Sequence, residues 1–362
     1  MQNKVPTIKE IAKIANVSAM TVSRALNNNP RVREITRKKI QSIAKQLGYR
    51  PNRIARSLVS KRSQLISLIV ADIANQYFSE LARGIEDKAR ENGYNVIFCS
   101  TDNDSETLKT YVRLMMEVGV DGFILAAVRL KEPIVEELTD QRFPVVLVNR
   151  ELKEKKANSV VIDNHAGAYL VVEHLIKCGY EKIAVITGAF NLSTGIERFE
   201  GYRNALGDHD ISFQEDYVSQ GPFTKEHGCQ AATKMLSGKN RPEAIFAASD
   251  NIALGVMDAA GKLGLRIPED LALVGFDDTG FSSNAKINLT TVSQKKYEMG
   301  ALGVQMLLDL INGQENGSIN NIVLEPELII RKSCGCLLPK KKRPTNNTRN
   351  ATPGRCGNTV LG

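Results

Sequence analysis

Three aspartates close three apolar runs in this 362-residue chain: Asp163 ends "VVID", Asp250 ends "IFAASD" and Asp277 ends "LVGFD". An arginine, Arg198, lies on the stretch that follows a fourth run, "KIAVITG". Carboxylates accept paired hydrogen bonds from hydroxyls and a guanidinium donates them, so these side chains gathered around one cleft would suit a polyhydroxylated small molecule. Tyr77, Phe78 and Phe223 offer rings to pack on a sugar face. Plainer readings stand beside these. Asp250 can cap the helix "NIALG", Asp278 can be a loop charge, and Tyr77 can merely cover a hinge. Arg198 can pair with Glu197 or Glu200, although adjacent helical residues do not face each other.

Catalytic patterns are missing. The histidines (His165, His174, His209, His227) have no H-x-x-x-H pairing, no G-x-S-x-G elbow appears, and no dinucleotide or phosphate-loop glycine pattern follows a strand. An enzyme is therefore not expected, nor is a cofactor. Six cysteines are scattered without framework spacing, which suits a reducing compartment better than a disulfide scaffold. Cys334-Gly335-Cys336 has the spacing of a metal or redox pair but lacks a second ligand pair in sequence, so no metal is expected.

The elements that would position the aspartates are an alternation of strands and helices. "LISLIVAD", "YNVIFCST", "DGFILAAV" and "PVVLVNR" read as buried strands between helices such as "YFSELARGIEDKARENG" and "SETLKTYVRLMMEVG". The pattern restarts near Asp163 with "HAGAYLVVEHLIKCG", "KIAVITG", "STGIERFEGYRNALG", "EAIFAASD", "NIALGVMDAAGKLG" and "LALVGFDD". Two such rounds predict two α/β lobes with parallel sheets covered on both faces, and ligands bind beyond the C-terminal strand ends of such sheets. The chain is expected to cross between lobes near Leu289–Gln294 and near Glu325.

A different chemistry sits at the front. Residues 1–62 hold 15 Lys and Arg against 2 Asp and Glu, residues 63–336 hold 27 against 38, and residues 337–362 hold 6 against none. A cationic head on an acidic body is the asymmetry of a module that meets a polyanion. In "TIKEIAKIA" Thr7 and Glu10 form a capping box over Ile8, Ile11, Ala12 and Ala15. Asn16 tolerates a left-handed turn, and Ser18 caps a second helix from Ala19 to about Asn27, giving a helix-turn-helix. Thr36 is expected to cap a third helix that Gly48 stops. With the second helix in a major groove, Arg24 reaches guanine O6 and N7, while Ala19 and Met20 pack on thymine methyls. Thr7, Thr21, Ser23 and Asn27 are expected on phosphates. The bland alternative for Arg24 is a solvated surface charge. After Gly48, "YRPNRIARSL" reads as a two-turn helix too short to stand alone in water, or as a basic linker.

The stretches "TIKEIAKIANVSAMTVSRALN", "YRPNRIARSL", "VVIDN", "ASDNIALGVMDAAGKLGLRIPEDLALVGFDD" and "LTTVSQ" come in this order, and together they resemble the lactose/purine repressor family of bacterial transcription regulators. The resemblance implies an all-α helix-turn-helix domain (residues 1–50), a hinge helix and linker (51–62), and a bilobed α/β domain like periplasmic binding proteins (63–333). Ala19, Met20 and Arg24 would then read bases, Leu58 would wedge into the minor groove, and Ala55 would lie on the DNA backbone. Val59 stands where some relatives carry lysine. Effector contacts would fall on Tyr77, Phe78, Asp163, Thr194, Arg198, Phe223 and Asp277, with Asp250 added from its strand end. Leu192 stands where a purine-binding relative carries arginine, which favours a sugar or sugar phosphate.

The expected partners are thus a pseudo-palindromic double-stranded operator, a small effector and a second copy of the chain, the apolar face of "YFSELARGIEDKAR" being one candidate interface. An effector-binding receptor with no role on DNA is the rival reading; it would need an export signal and no cationic head. No apolar run reaches the ~18–20 residues that span a bilayer, and "MQNKVPTIKE" has no signal-peptide character, so the expected location is the cytoplasm. Residues 334–362 are expected to form a basic, disordered tail.

Overall fold

The computed structural model describes residues 6–26, 28–49, 62–314 and 318–336. Three helices form the head: α1 (Ile8–Ala15), α2 (Ala19–Leu26) and α3 (Glu34–Gln46). The capping box is present, with the Thr7 amide donating to Glu10 Oε2 at 2.8 Å and the Glu10 amide to Thr7 Oγ1 at 3.3 Å. Asn16 turns the chain at φ 55°, and Ser18 Oγ accepts the Thr21 amide at 3.1 Å. Ile11, Ala12, Ala15, Val22, Ala25, Val32, Ile40 and Ala44 fill one small core. Thr36 is not the cap of α3. The helix begins at Glu34, three residues before the expected start at Arg37, because Glu34 complements the exposed amides of its first turn and pairs with Arg37 at 2.9 Å. Leu47, at the far end, is exposed.

The body has two lobes. The first holds β1 (Leu65–Val70), α4 (Tyr77–Glu91), β2 (Asn95–Ser100), α5 (Ser105–Val118), β3 (Gly122–Ala126), α6 (Pro133–Asp140), β4 (Val145–Val148) and β5 (Asn158–Ile162). The second holds α7 (Asn164–Lys177), β6 (Ile183–Gly188), α8 (Ser193–Asp208), β7 (Val218–Gly221), α9 (Lys225–Leu236), β8 (Ala244–Ala247), α10 (Asp250–Lys262) and β9 (Ala272–Val274). β10 (Thr291–Ser293) then leads to α11 (Lys296–Asn312) and β11 (Asn321–Leu324), which return to the first lobe, and β12 (Glu327–Ile329) pairs antiparallel with β10. The first sheet runs β11-β5-β4-β3-β1-β2 and the second β7-β6-β8-β9, every pairing parallel. The chain therefore crosses after Ile162, between Ser293 and Lys296, and between Leu324 and Glu327.

Three expectations need correction. β2 is not a buried strand; it is the edge of its sheet and is half-exposed along its length. The apolar face of α4 is core rather than interface, since Tyr77, Phe78, Leu81 and Ile85 pack into the cluster that α11 closes with Met299, Val304 and Leu307. The tail does not begin at 334: Cys334 is fully buried, and Cys336 is bonded to Cys178 at the end of α7, so the cysteines are not all unpaired. Among the described residues no helix is long and apolar enough to cross a membrane.

Candidate functional site

On the head, α2 turns Val22 and Ala25 inward and leaves Ala19, Met20 and Arg24 exposed. Its first turn thus presents a methyl and a thioether, with a guanidinium one turn on. Thr7 and Thr21 sit at the starts of α1 and α2, each tied into the cap beside it, and Ser23 is half-buried. Asn27, Ala55, Leu58 and Val59 lie outside the described residues.

In the body, a cavity of about 510 Å³ lies between the lobes, beyond the C-terminal ends of both sheets. In the first sheet β2 and β3 flank β1, and in the second β7 and β8 flank β6; such reversals of strand order open a crevice for ligands. The cavity gathers Tyr77, Phe78, Thr194, Arg198, Phe223 and Asp277. Phe223 lies against Gly188 at the end of β6, where any Cβ would collide with its ring.

Arg198 lines this space and takes Asp277 rather than Glu197 or Glu200 as its ion-pair partner. Its Nε donates to Asn164 Oδ1 at 2.9 Å, its Nη1 to the Ala248 carbonyl at 2.5 Å, and its plane lies 3.8 Å from the centre of the Phe276 ring. Asp277 Oδ1 is 3.7 Å from Arg198 Nη1 and accepts Gln294 Nε2 at 2.5 Å. Its backbone is held at φ 131°, a strained value for a residue with a Cβ, while its carbonyl accepts the buried Lys296 Nζ at 2.6 Å. Burial pushes the Asp277 carboxyl up to about 7 against the pull of Arg198. Burial also keeps the Tyr77 phenol protonated, and its hydroxyl donates to Gln294 Oε1 at 3.4 Å. Asp278 is no free loop charge; it pairs with Arg331 at 2.7 Å.

Two expected residues stay outside the cavity. Asp163 caps α7, accepting the Ala166 amide at 2.8 Å. Asp250 is fully buried and its oxygens accept from the Thr279 amide and hydroxyl, Ser282 Oγ and Thr291 Oγ1, so it braces the strand end rather than lining the cavity. Nor does it cap α10, a role taken by Ser249, which accepts the Ile252 amide at 3.2 Å.

Sequence reasoning missed Arg150, Asn149, Asn103 and Arg129, which line the same cavity. The signal was there: "VLVNR" places Asn149 and Arg150 at a strand end, the rule that picked the aspartates. Arg150 is buried, donates Nη1 to Asn103 Oδ1 at 2.9 Å, and leaves Nε without a partner. Burial, and then the charge of Arg198, push its guanidinium down to about 10. Thr194 Oγ1, in the first turn of α8, is likewise buried and unpartnered. The lobes meet on one side of the cavity, where the Leu130 amide donates to the Asn191 carbonyl at 2.9 Å and the Glu151 amide to Ser193 Oγ at 3.1 Å.

The sequence matches the description "Bacterial regulatory proteins, lacI family" over residues 7–52 and "Periplasmic binding protein-like domain" over residues 172–334. It is 36% identical over 307 residues to Catabolite control protein A of Priestia megaterium, covering 84% of this chain and 92% of that one. It is 34% identical over 337 residues to the HTH-type transcriptional repressor PurR of Haemophilus influenzae (strain PittEE), covering 92% and 99%. Among solved structures, the Lac repressor dimer bound to operator and the anti-inducer ONPF superposes with a TM-score of 0.81 at 29% identity, covering 91% of this chain and 99% of that one. The complex of the transcriptional regulator CelR with cellobiose gives 0.68 at 30% identity, covering 91% and 99%.

Proposed function

This chain belongs to the lacI family of bacterial regulatory proteins and is a DNA-binding transcriptional regulator, and on that premise we propose that it is a cytoplasmic repressor whose grip on a pseudo-palindromic operator answers to an acidic sugar in the interlobe cavity. The observation that carries the ligand class is the pair of buried guanidiniums, Arg150 and Arg198, only one of which has a carboxylate near it. Among the described residues Arg150 makes no ion pair, and a buried cation without a counter-charge is costly unless a ligand supplies one. Its free Nε and the free Thr194 hydroxyl, at the start of the 16-residue α8, offer an anion a charge, a donor and a helix N-terminus. Asp277, Arg198, Asn149 and Asn103 remain for hydroxyls, and Phe223 for the ring face.

On the DNA side, Ala19, Met20 and Arg24 read bases, Leu58 is the minor-groove wedge, and Thr7, Thr21, Ser23, Asn27 and Ala55 hold the backbone. A head of this size covers a half-site, so two copies act together. The ligand acts by preferring one lobe arrangement. Melting the protein with sugar acids, sugar phosphates and their neutral parents tests this reading. An acidic sugar should raise Tm in the parent protein and not in Arg150→Ala, and the same compound should change operator affinity. A neutral sugar stabilising both proteins equally would remove the anionic group from the reading.

A further inference from the structure

The fold supplies what the sequence around Cys334-Gly335-Cys336 lacked. The last turn of α7 carries His174, and Cys178 follows at the helix end, four residues on and so on the same face. His174 Nε2 lies 3.8 Å from Cys178 Sγ. The donor atoms of His174, Cys334 and Cys336 all fall within 4.8 Å of one another. Cys178 and Cys336 are joined, their Cα atoms 5.4 Å apart across a sequence separation of 158. Gly335 makes this convergence possible. It sits at φ 72°, and a Cβ there would lie 2.7 Å from the Tyr180 hydroxyl, which donates to the Cys334 carbonyl at 3.1 Å.

A disulfide accounts for two of these donors, and beside it lie His174 and the buried Cys334 thiol, which donates to the Arg331 carbonyl at 3.5 Å. We infer that in the reduced protein His174, Cys178, Cys334 and Cys336 together form a closed zinc site. Three sulfurs and one imidazole nitrogen are a donor set that zinc takes tetrahedrally, at about 2.3 Å to sulfur and about 2.0 Å to nitrogen, so neighbouring donors end up roughly 3.4–3.8 Å apart. The donors of His174, Cys334 and Cys336, all within 4.8 Å of one another, need close by only about 1 Å to reach that spacing, and reduction frees the Cys178 and Cys336 sulfurs to part from bonding distance to it. The chemistry balances. Two equivalents of a cellular thiol reduce the Cys178–Cys336 bond and leave as their own disulfide. Zn²⁺ then displaces one proton from each of three thiols, which pass to water, and binds the neutral imidazole. Four protein ligands leave no open position, so the site is structural. It pins the chain just before the basic stretch 337–362 to the end of α7 away from the cavity, about 20 Å along the helix from Asp163.

Full-length protein purified with a small thiol and no chelator tests this. About one zinc ion per chain is expected, and cobalt substitution should give the intense visible bands and thiolate charge transfer of a tetrahedral sulfur-rich site. Cys334→Ser and His174→Ala should lose the metal with far-UV circular dichroism unchanged, whereas Cys229→Ser, remote from the cluster, should keep it. The parent protein alone decides the question if a variant fails to fold. Reduced protein, its thiols counted, that carries no zinc and gives only a pale octahedral cobalt spectrum overturns the site, as does a Cys178–Cys336 disulfide that survives the thiol and excludes metal.

Discussion

At the scale of single residues, the two halves of the molecule read by different physics. Arg24 is exposed on α2 with apolar Ala19 and Met20 exposed ahead of it, and in the proposed reading its guanidinium discriminates a base. Arg24→Ala should cost about 1–3 kcal/mol at one operator position and nothing at the others. Binding assays across single-base operator variants separate that from an even loss, the signature of a phosphate contact. Asp277 shows the opposite regime, a carboxyl buried beside a cation. Its acidity is moved from 3.8 to about 7, so the native state holds the proton more tightly than the unfolded chain. The stabilisation from that proton is complete below the ordinary carboxylate range and is lost as pH rises through about 7. Asp277→Asn cannot titrate, so its Tm should fall less than that of the parent between about pH 5 and about pH 8. Parallel curves would show Asp277 ionised throughout.

At the scale of elements, what the sequence disclosed depended on whether the cause was local. The capping box at Thr7, the left-handed Asn16 and the long helices around β1, β3 and β6 follow from residues within one turn of each other, and they stand where the pattern put them. Thr36 misled because it is a good cap type, while the charge pair of Glu34 and Arg37 started α3 earlier. The short β7, β10 and β12 have little periodicity of their own, and their place comes from pairing with distant strands. The same divide runs through the cavity. Strand-end position pointed to Asp277 and equally to Asp250, and only the fold reveals that Asp250 spends its oxygens on Thr279, Ser282 and Thr291. The crossing of α4 and α11 is another non-local fact. Gly84 and Gly300 let the helices touch backbone to backbone, and a Cβ on Gly84 would run into the Tyr297 carbonyl. Gly84→Ala should therefore destabilise the body by about 1–3 kcal/mol. A denaturant midpoint equal to that of the parent would mean the two helices separate at no cost.

At the scale of the whole molecule, a surface of the body must bring two heads together. With the apolar face of α4 committed to α11, the dimer needs another patch. α5 leaves Leu114 and Val118, one turn apart, 45% and 49% exposed, and beside it Ile97 and Cys99 on edge strand β2 are only partly covered. An apolar strip running from an open sheet edge onto a helix is a surface that a second copy can close. It belongs to the first lobe, the lobe that follows the hinge segment in the chain, so a contact there sets the distance between two heads more directly than one on the second lobe. Leu114→Glu places a charge in that strip without touching the interlobe cavity, the head or the core. The variant should sediment as a monomer, keep its ligand-induced rise in Tm, and bind a full operator no better than a half-site. A variant that remains dimeric with operator affinity intact would move the interface off α5 and β2.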